Sequence, residues 1–242
     1  MARTALVLGA SGRFGRHMAE AFEADGWTVR RFRRGDDLMA AAAGSGIIVN
    51  GWNPPYEHWA RELPGLTAQV IAAAKASGAT VIFPGNVYVF GTDAPGVLDE
   101  NTPHAAKNPL GRLRIEAEAA YRAAGIPVIV LRAGDYIDTR ASGNWFDEVI
   151  TAKVGRGVVT YPGEPSVPHA WAYLPDLARA AVRLAAIRET LPTFTDVPFP
   201  GFTLTGRELA EAIARVTGRA VRLKRMAWTP VWLARPFVPF LR

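Results

Sequence analysis

The strand-like run Ala5-Leu-Val-Leu8 leads directly into Gly9-Ala-Ser-Gly12-Arg-Phe-Gly15, and a helical segment opens straight from it. That arrangement leaves few folds open. A strand that ends in a glycine turn and feeds a helix is the phosphate-binding start of a βαβ unit. In such a turn Gly9 permits the tight reversal, Gly12 lets a pyrophosphate approach the backbone, and Gly15 lets the helix lie close to the sheet. The helix start adds unpaired N–H groups and a partial positive charge. Ser11 and Arg13 can add donors, and Phe14 completes the candidate cofactor loop.

Downstream, apolar strand-like runs alternate with alanine-rich helical segments, the pattern of parallel strands joined by crossover helices. Strands are expected over 5–8, 28–32, 47–50, 80–83 and 127–131, with helices over 13–24, 66–76 and 112–124. The strand at 127–131 reads as the last of the core. Beyond Arg132 the pattern loosens into a helix near 145–153, a strand at 158–161, a helix over 175–187, a strand at 194–197, a helix over 205–216 and a strand over 220–224. At 242 residues the chain accommodates one large domain. The expected architecture is a single α/β domain, 1–242, with a Rossmann-type doubly wound parallel sheet, to which 133–242 contributes a small C-terminal substrate lobe.

Composition removes several function classes. Hydrophobic residues make up 49%, with a mean hydropathy of +0.05, which gives the apolar surface a folded core requires. The absence of cysteine excludes disulfides, thiolate metal sites and a cysteine nucleophile, and none of the four histidines pair at i, i+4, so no metal is expected. The N-terminus lacks a signal-peptide pattern, and a cytoplasmic location is the expectation. The apolar stretch from Trp228 to Leu241 is broken by Pro230, Arg235, Pro236 and Pro239, so membrane insertion is not expected. It suits packing on the body of the protein or on a second subunit, which leaves a homodimer open. The net charge of +6 and the cluster Arg215, Arg219, Arg222, Lys224 and Arg225 raise nucleic-acid binding, but interspersed acids and the lack of a recognition motif favour a solvated face and no nucleic-acid partner.

The spacing G-x-x-G-x-x-G, with Ala5-Leu-Val-Leu-Gly-Ala-Ser-Gly12 around it, resembles the short-chain dehydrogenase/reductase superfamily, and within it the extended and atypical branches that include nucleotide-sugar epimerases and dehydratases. The resemblance implies NADP or NAD as cofactor. At the end of the second strand, NAD calls for a carboxylate on the ribose and NADP for cations on the 2′-phosphate. Arg30, Arg31, Arg33 and Arg34 stand there, ahead of Asp36 and Asp37, which favours NADP, with Arg33 and Arg34 as the expected contacts. A solvated basic edge is the alternative.

The resemblance also implies a Ser, a Tyr and a Lys four residues after it as the proton-transfer machinery. Val81-Ile-Phe-Pro-Gly-Asn-Val-Tyr-Val-Phe-Gly91 is similar to the segment carrying the Ser, with Asn86 at its place. Asn108-Pro-Leu-Gly-Arg-Leu-Arg-Ile-Glu-Ala-Glu118 is similar to the Tyr-x-x-x-Lys segment, with Leu110 and Arg114 at the two positions. All three groups are replaced. Leucine donates no proton; Arg114 can still bind a ribose or phosphate, but it is too basic for acid–base work near neutrality. Asn86 can polarise a carbonyl through its amide, and Tyr88 is the candidate substitute acid, although a packed aromatic with a satisfied hydroxyl is the favoured account of it.

Three further stretches follow strand ends. In Asn50-Gly-Trp-Asn-Pro-Pro-Tyr-Glu-His58, Asn50 and Trp52 are candidate cofactor contacts, and Asn53 and Tyr56 candidate substrate contacts. Leu131-Arg-Ala-Gly-Asp-Tyr136 offers Arg132, Asp135 and Tyr136 to a substrate, and Pro168-His-Ala-Trp-Ala-Tyr-Leu-Pro-Asp-Leu-Ala178 offers His169, with Asp176 read as a helix-start charge. Two functions remain open. One is an NAD(P)-dependent reductase or epimerase/dehydratase-like enzyme acting on a small polar substrate, a sugar among the candidates, by hydride transfer with a non-standard proton donor. The other is a non-catalytic NADP-binding sensor or scaffold.

Overall fold

A computed structural model describes residues 3–230, so most of the apolar stretch that ends at Leu241 lies outside the described residues. The described chain forms two compact units, one comprising 3–133 with Leu174–Phe199, the other comprising Gly134–Tyr173 with 200–230.

The first unit runs β1 (Thr4–Leu8), α1 (Arg13–Ala24), β2 (Thr28–Arg31), α2 (Leu38–Ala42), β3 (Ile47–Asn50), α3 (Trp59–Ser77), β4 (Thr80–Gly85), α4 (Pro109–Ala123) and β5 (Val128–Arg132). The second unit then contributes β6 (Asp135–Ile137), β7 (Val158–Tyr161) and β8 (His169–Tyr173). The chain returns to the first unit for α5 (Leu174–Ala186) and β9 (Phe194–Pro198), and closes the second with β10 (Phe202–Leu204), α6 (Gly206–Thr217) and β11 (Arg222–Arg225).

The main sheet has the order β2-β1-β3-β4-β5-β9, with every pairing parallel. β3 and β5 are buried at every residue, as strands covered on both faces must be, whereas edge strand β2 is mostly exposed and carries the arginines. Helix α5 packs on α1, and α3 packs on both α2 and α4, giving the helix layers of a doubly wound fold. Strand order reverses between β1 and β3, the switch point where ligands bind in such sheets, and the loops after both strands were the ones singled out from sequence.

One expectation is corrected. The strand ending at Leu131 is not the last of the core, because β9 pairs with β5 along its whole length, from Val128 opposite Phe194 to Arg132 opposite Pro198. Helix α5 and β9, both from the stretch assigned to the substrate lobe, lie in the first unit. Helix α3 also starts earlier than expected, at Trp59, and runs through Pro64. A proline in a second turn removes one N–H, but the buried Trp59 and Leu63 anchor this end against the core, which outweighs that loss.

In the second unit, β6, β8 and β10 form a three-stranded sheet and β7 pairs with β11. The segment expected as a helix near 145–153 is a π-turn over Phe146–Ile150 followed by a 3₁₀ turn over Val154–Arg156. Helix α6 opens with a reciprocal cap between Thr205 and Glu208. Gly206, unfavourable in a helix by propensity, is explained by packing, since a Cβ there would sit 2.9 Å from the Tyr161 ring.

Candidate functional site

The glycine loop leaves β1 with Gly9 at φ 68°. A Cβ on Gly9 would lie 2.5 Å from the carbonyl oxygen of Gly51, and one on Gly15 would lie 2.3 Å from that of Gly9. Both glycines are therefore required by backbone packing, and the loops after β1 and β3 touch. Gly12 is different: its Cβ would meet only the Gly9 carbonyl oxygen, at 3.3 Å, and otherwise stand in open space. It is the N-cap of α1, with no side-chain cap and no acidic residue in the first turn. An exposed, uncapped helix start of this kind attracts an anion. Ser11 is exposed beside it, whereas the Phe14 side chain is buried, so Phe14 can serve a ligand only through its backbone.

At the end of β2 the four arginines separate into two pairs. Arg30 caps the carbonyls of Ala41 and Ala43 at the end of α2, and Arg31 is bound by both carboxylate oxygens of Glu23. The exposed side chains of Arg33 and Arg34 have no hydrogen bond or ion pair among the described residues. Between them and the loop after β3, Phe32 meets Trp52 edge to face, with centroids 5.5 Å apart. Asn50 organises that loop: its side-chain oxygen accepts from the Trp52 N–H at 3.2 Å, and its amide donates to the Tyr121 hydroxyl at 3.0 Å. Burial pushes the Tyr121 phenol far up from its ordinary pKa, so it stays protonated.

Asn86 lies in the turn after β4, where its side-chain oxygen accepts from the Tyr88 N–H at 3.1 Å and caps the 3₁₀ turn Val87–Val89. Its amide nitrogen has no partner among the described residues. The backbone here is a turn, so the alternation that would place Asn86 and Tyr88 on one face of a strand does not apply. The Tyr88 hydroxyl meets that of Tyr56 at 3.2 Å, and Trp59 flanks both rings, with centroids 4.9 Å from Tyr56 and 6.4 Å from Tyr88. Asn53 is exposed at the start of the same loop.

Two expected ligand contacts are engaged by the scaffold. The Arg114 guanidinium lies 4.3 Å from the Phe83 ring centroid and 5.8 Å from that of Trp59, and it donates to the Pro84 carbonyl. Leu110, Arg114, Ala117 and Tyr121 follow the 4-3-4 spacing of one helix face, which was a signal that Arg114 points inward. Arg132 is bound by two carboxylates, donating to Glu118 at 2.7 Å and to Asp196, and it also donates to the Asn86 carbonyl at 2.7 Å. The guanidinium thus lies among His104, Glu118 and Asp196, a cluster whose donor atoms could otherwise hold a cation. Sequence reasoning missed Trp59, Glu118 and Asp196; an acid inside the apolar strand Phe194–Pro198 was the available clue.

In the second unit, Asp135 and His169 form a pair, with Oδ2 and Nε2 2.9 Å apart, and the His169 ring lies 4.6 Å from that of Trp171. Tyr136 is half-buried, its carbonyl accepting from the Asn144 amide.

No protein-family model matches the chain, and no curated protein matches it. Solved structures do. MoeE5 in complex with UDP-glucose and NAD is 18% identical, with a TM-score of 0.76 over 93% of this chain and 85% of that one. The UDP-glucose 4-epimerase of Brucella ovis in complex with NAD is 21% identical, with a TM-score of 0.74 over 93% and 86%. A dTDP-4-dehydrorhamnose reductase from Clostridium acetobutylicum is 15% identical, with a TM-score of 0.75 over 93% and 86%. The chain therefore shares the fold of these structures, as the resemblance implied. Among the described residues no helix is long and apolar enough to cross a membrane.

Proposed function

We propose that the chain is an NADP(H)-dependent reductase or epimerase-like enzyme acting on a small, sugar-like substrate. The observation that carries this reading is the open space over Gly12, at an uncapped helix start on the switch point of a parallel sheet. Gly12 and Ser11 with the first turn of α1 would hold the pyrophosphate, Phe32 and Trp52 would wall one end of the dinucleotide, and Arg33 and Arg34 would meet a 2′-phosphate. Among the described residues the side chains of Arg33 and Arg34, unlike those of Arg30 and Arg31, make no hydrogen bond or ion pair, which supports NADP over NAD.

The bound dinucleotide supplies or accepts the hydride. The chain's own contribution is proton transfer and orientation. Tyr88 would give its phenolic proton to the substrate oxygen as negative charge develops there, and the Asn86 amide would donate a hydrogen bond to the same oxygen. The Tyr56 hydroxyl, already 3.2 Å from that of Tyr88 and exposed, would then hydrogen-bond the phenolate and relay to it a proton taken up from solvent. A second reading, a dinucleotide-binding protein without turnover, is favoured by one observation: the residues at the usual Tyr and Lys positions, Leu110 and Arg114, pack on and within the core.

Calorimetric titration with NADPH, NADP, NADH and NAD tests the cofactor, with Arg33→Ala and Arg34→Ala as controls. Each lost charged contact is worth about 1.5–3 kcal/mol, so NADP(H) should bind at least tenfold more weakly in these variants while NAD(H) is unaffected. Absence of binding by all four refutes both readings. A substrate screen following NADPH absorbance then separates enzyme from sensor.

A further inference from the structure

The second unit carries a cavity of about 300 Å³. Its walls are aromatic: Trp145 and Trp228 at 39% and 48% exposure, with ring centroids 6.1 Å apart, and Tyr161 and Trp171 more deeply buried. Trp228 is fixed by donating to the Pro162 carbonyl at 2.8 Å. The polar groups are few and specific. Asp135 and His169 form their pair at the wall, and the indole N–H of Trp171 is buried without a partner among the described residues.

Charge decides what such a cavity can take. Among the described residues no Lys or Arg lines it, and its one permanent charge is the Asp135 carboxylate. A phosphate or diphosphate would meet repulsion and no compensating cation. A quaternary ammonium would suit the rings and the carboxylate charge, but it has no N–H or O–H to give the remaining Asp135 oxygen, so the Asp135–His169 pair would lose its contact with water without gaining a hydrogen bond. A neutral polyhydroxyl ring satisfies every condition. Its C–H face lies on indole, and its hydroxyls donate to the second carboxylate oxygen of Asp135. The volume, at the lower end of the about 300–1,000 Å³ of ligand pockets, suits one six-membered ring.

We infer that the cavity framed by Trp145, Trp228 and the Asp135–His169 pair binds an uncharged monosaccharide ring, free or simply substituted, and takes no nucleoside diphosphate. Binding in this cavity does not depend on the enzyme reading above. Burial, with the nearby Asp135 charge adding to it, raises the Tyr161 phenol's pKa and keeps it a neutral donor on the same wall.

The test is tryptophan fluorescence of the full chain, titrated with methyl glycosides of glucose, galactose, mannose and rhamnose, and with UDP and tetramethylammonium chloride. At least one glycoside should saturate, with affinity at least about tenfold lower in Trp145→Ala and in Asp135→Asn and retained in Trp145→Phe, while UDP and tetramethylammonium produce no Trp145-dependent change. The proposal is overturned if no glycoside saturates, if UDP or tetramethylammonium saturates at lower concentration in a Trp145-dependent way, or if the substitutions leave glycoside affinity unchanged. Should Trp145→Ala fail to fold, Asp135→Asn decides. Dinucleotide titration of the same samples separates the two readings: glycoside binding without dinucleotide binding removes the enzyme and keeps this site, and the reverse removes this site alone.

Discussion

Arg132 and Glu118 meet with both side chains only 3% exposed, a guanidinium nitrogen 2.7 Å from a carboxylate oxygen. Asp196 binds the same guanidinium from β9. This joins α4, β5 and β9 through one buried cation, which explains how a charged residue is tolerated in a strand buried at every position. Arg132→Met strands two carboxylates in the core. It should cost about 3–5 kcal/mol in urea unfolding, and a loss under about 1 kcal/mol would show that the triad is not coupled to folding.

His104 borders this triad, its Nδ1 3.8 Å from Glu118. Burial lowers its pKa, opposed by Glu118 and Asp196 and assisted by Arg132 and Arg122. The folded chain therefore binds the proton less readily than the unfolded chain. The stability this group contributes is complete above about pH 6.5 and is lost as the pH falls through the lowered folded value. Thermal melts at about pH 7.5 and 5.5 should show a larger drop for wild type than for His104→Gln. Equal drops would assign the acid sensitivity elsewhere.

The three loop glycines should separate on substitution. Gly9→Ala and Gly15→Ala force a Cβ into backbone oxygen, and Gly9 also has a positive φ, so each should lose more than about 1–3 kcal/mol of stability. Gly12→Ala meets one oxygen at 3.3 Å and should cost less than about 1 kcal/mol while weakening dinucleotide binding at least tenfold. Urea melts and calorimetry on the same preparations check both. Unchanged binding in a folded Gly12→Ala variant would remove the phosphate cradle.

Once a reducible substrate is found, Tyr88→Phe should slow turnover by about 10²-fold or more, with little change in stability. Tyr56→Phe should alter the pH profile of kcat more than its maximum, because Tyr56 acts on Tyr88 and not on substrate. Identical, unperturbed kinetics in both would eliminate the tyrosine pair as the proton route.

Residue order alone determined the local features of this protein. Helix α1 and strand β3 have the limits that apolar period and glycine position imply, and the cluster of arginines ahead of Asp36 and Asp37 was already visible after β2. These depend on neighbours within a few residues: a glycine turn, an alternation, a cap. What the sequence could not reveal was which distant segments meet. Arg132 read as a substrate contact because a strand seemed to end the core there; the pairing of β9 brings Asp196, 64 residues away, onto its guanidinium. Arg114 similarly looked available to a ribose until Phe83 and Trp59 closed around it. A short strand such as Phe194–Pro198 carries too little pattern to name its partner, because pairing is decided by which edge remains open once the rest of the sheet has formed.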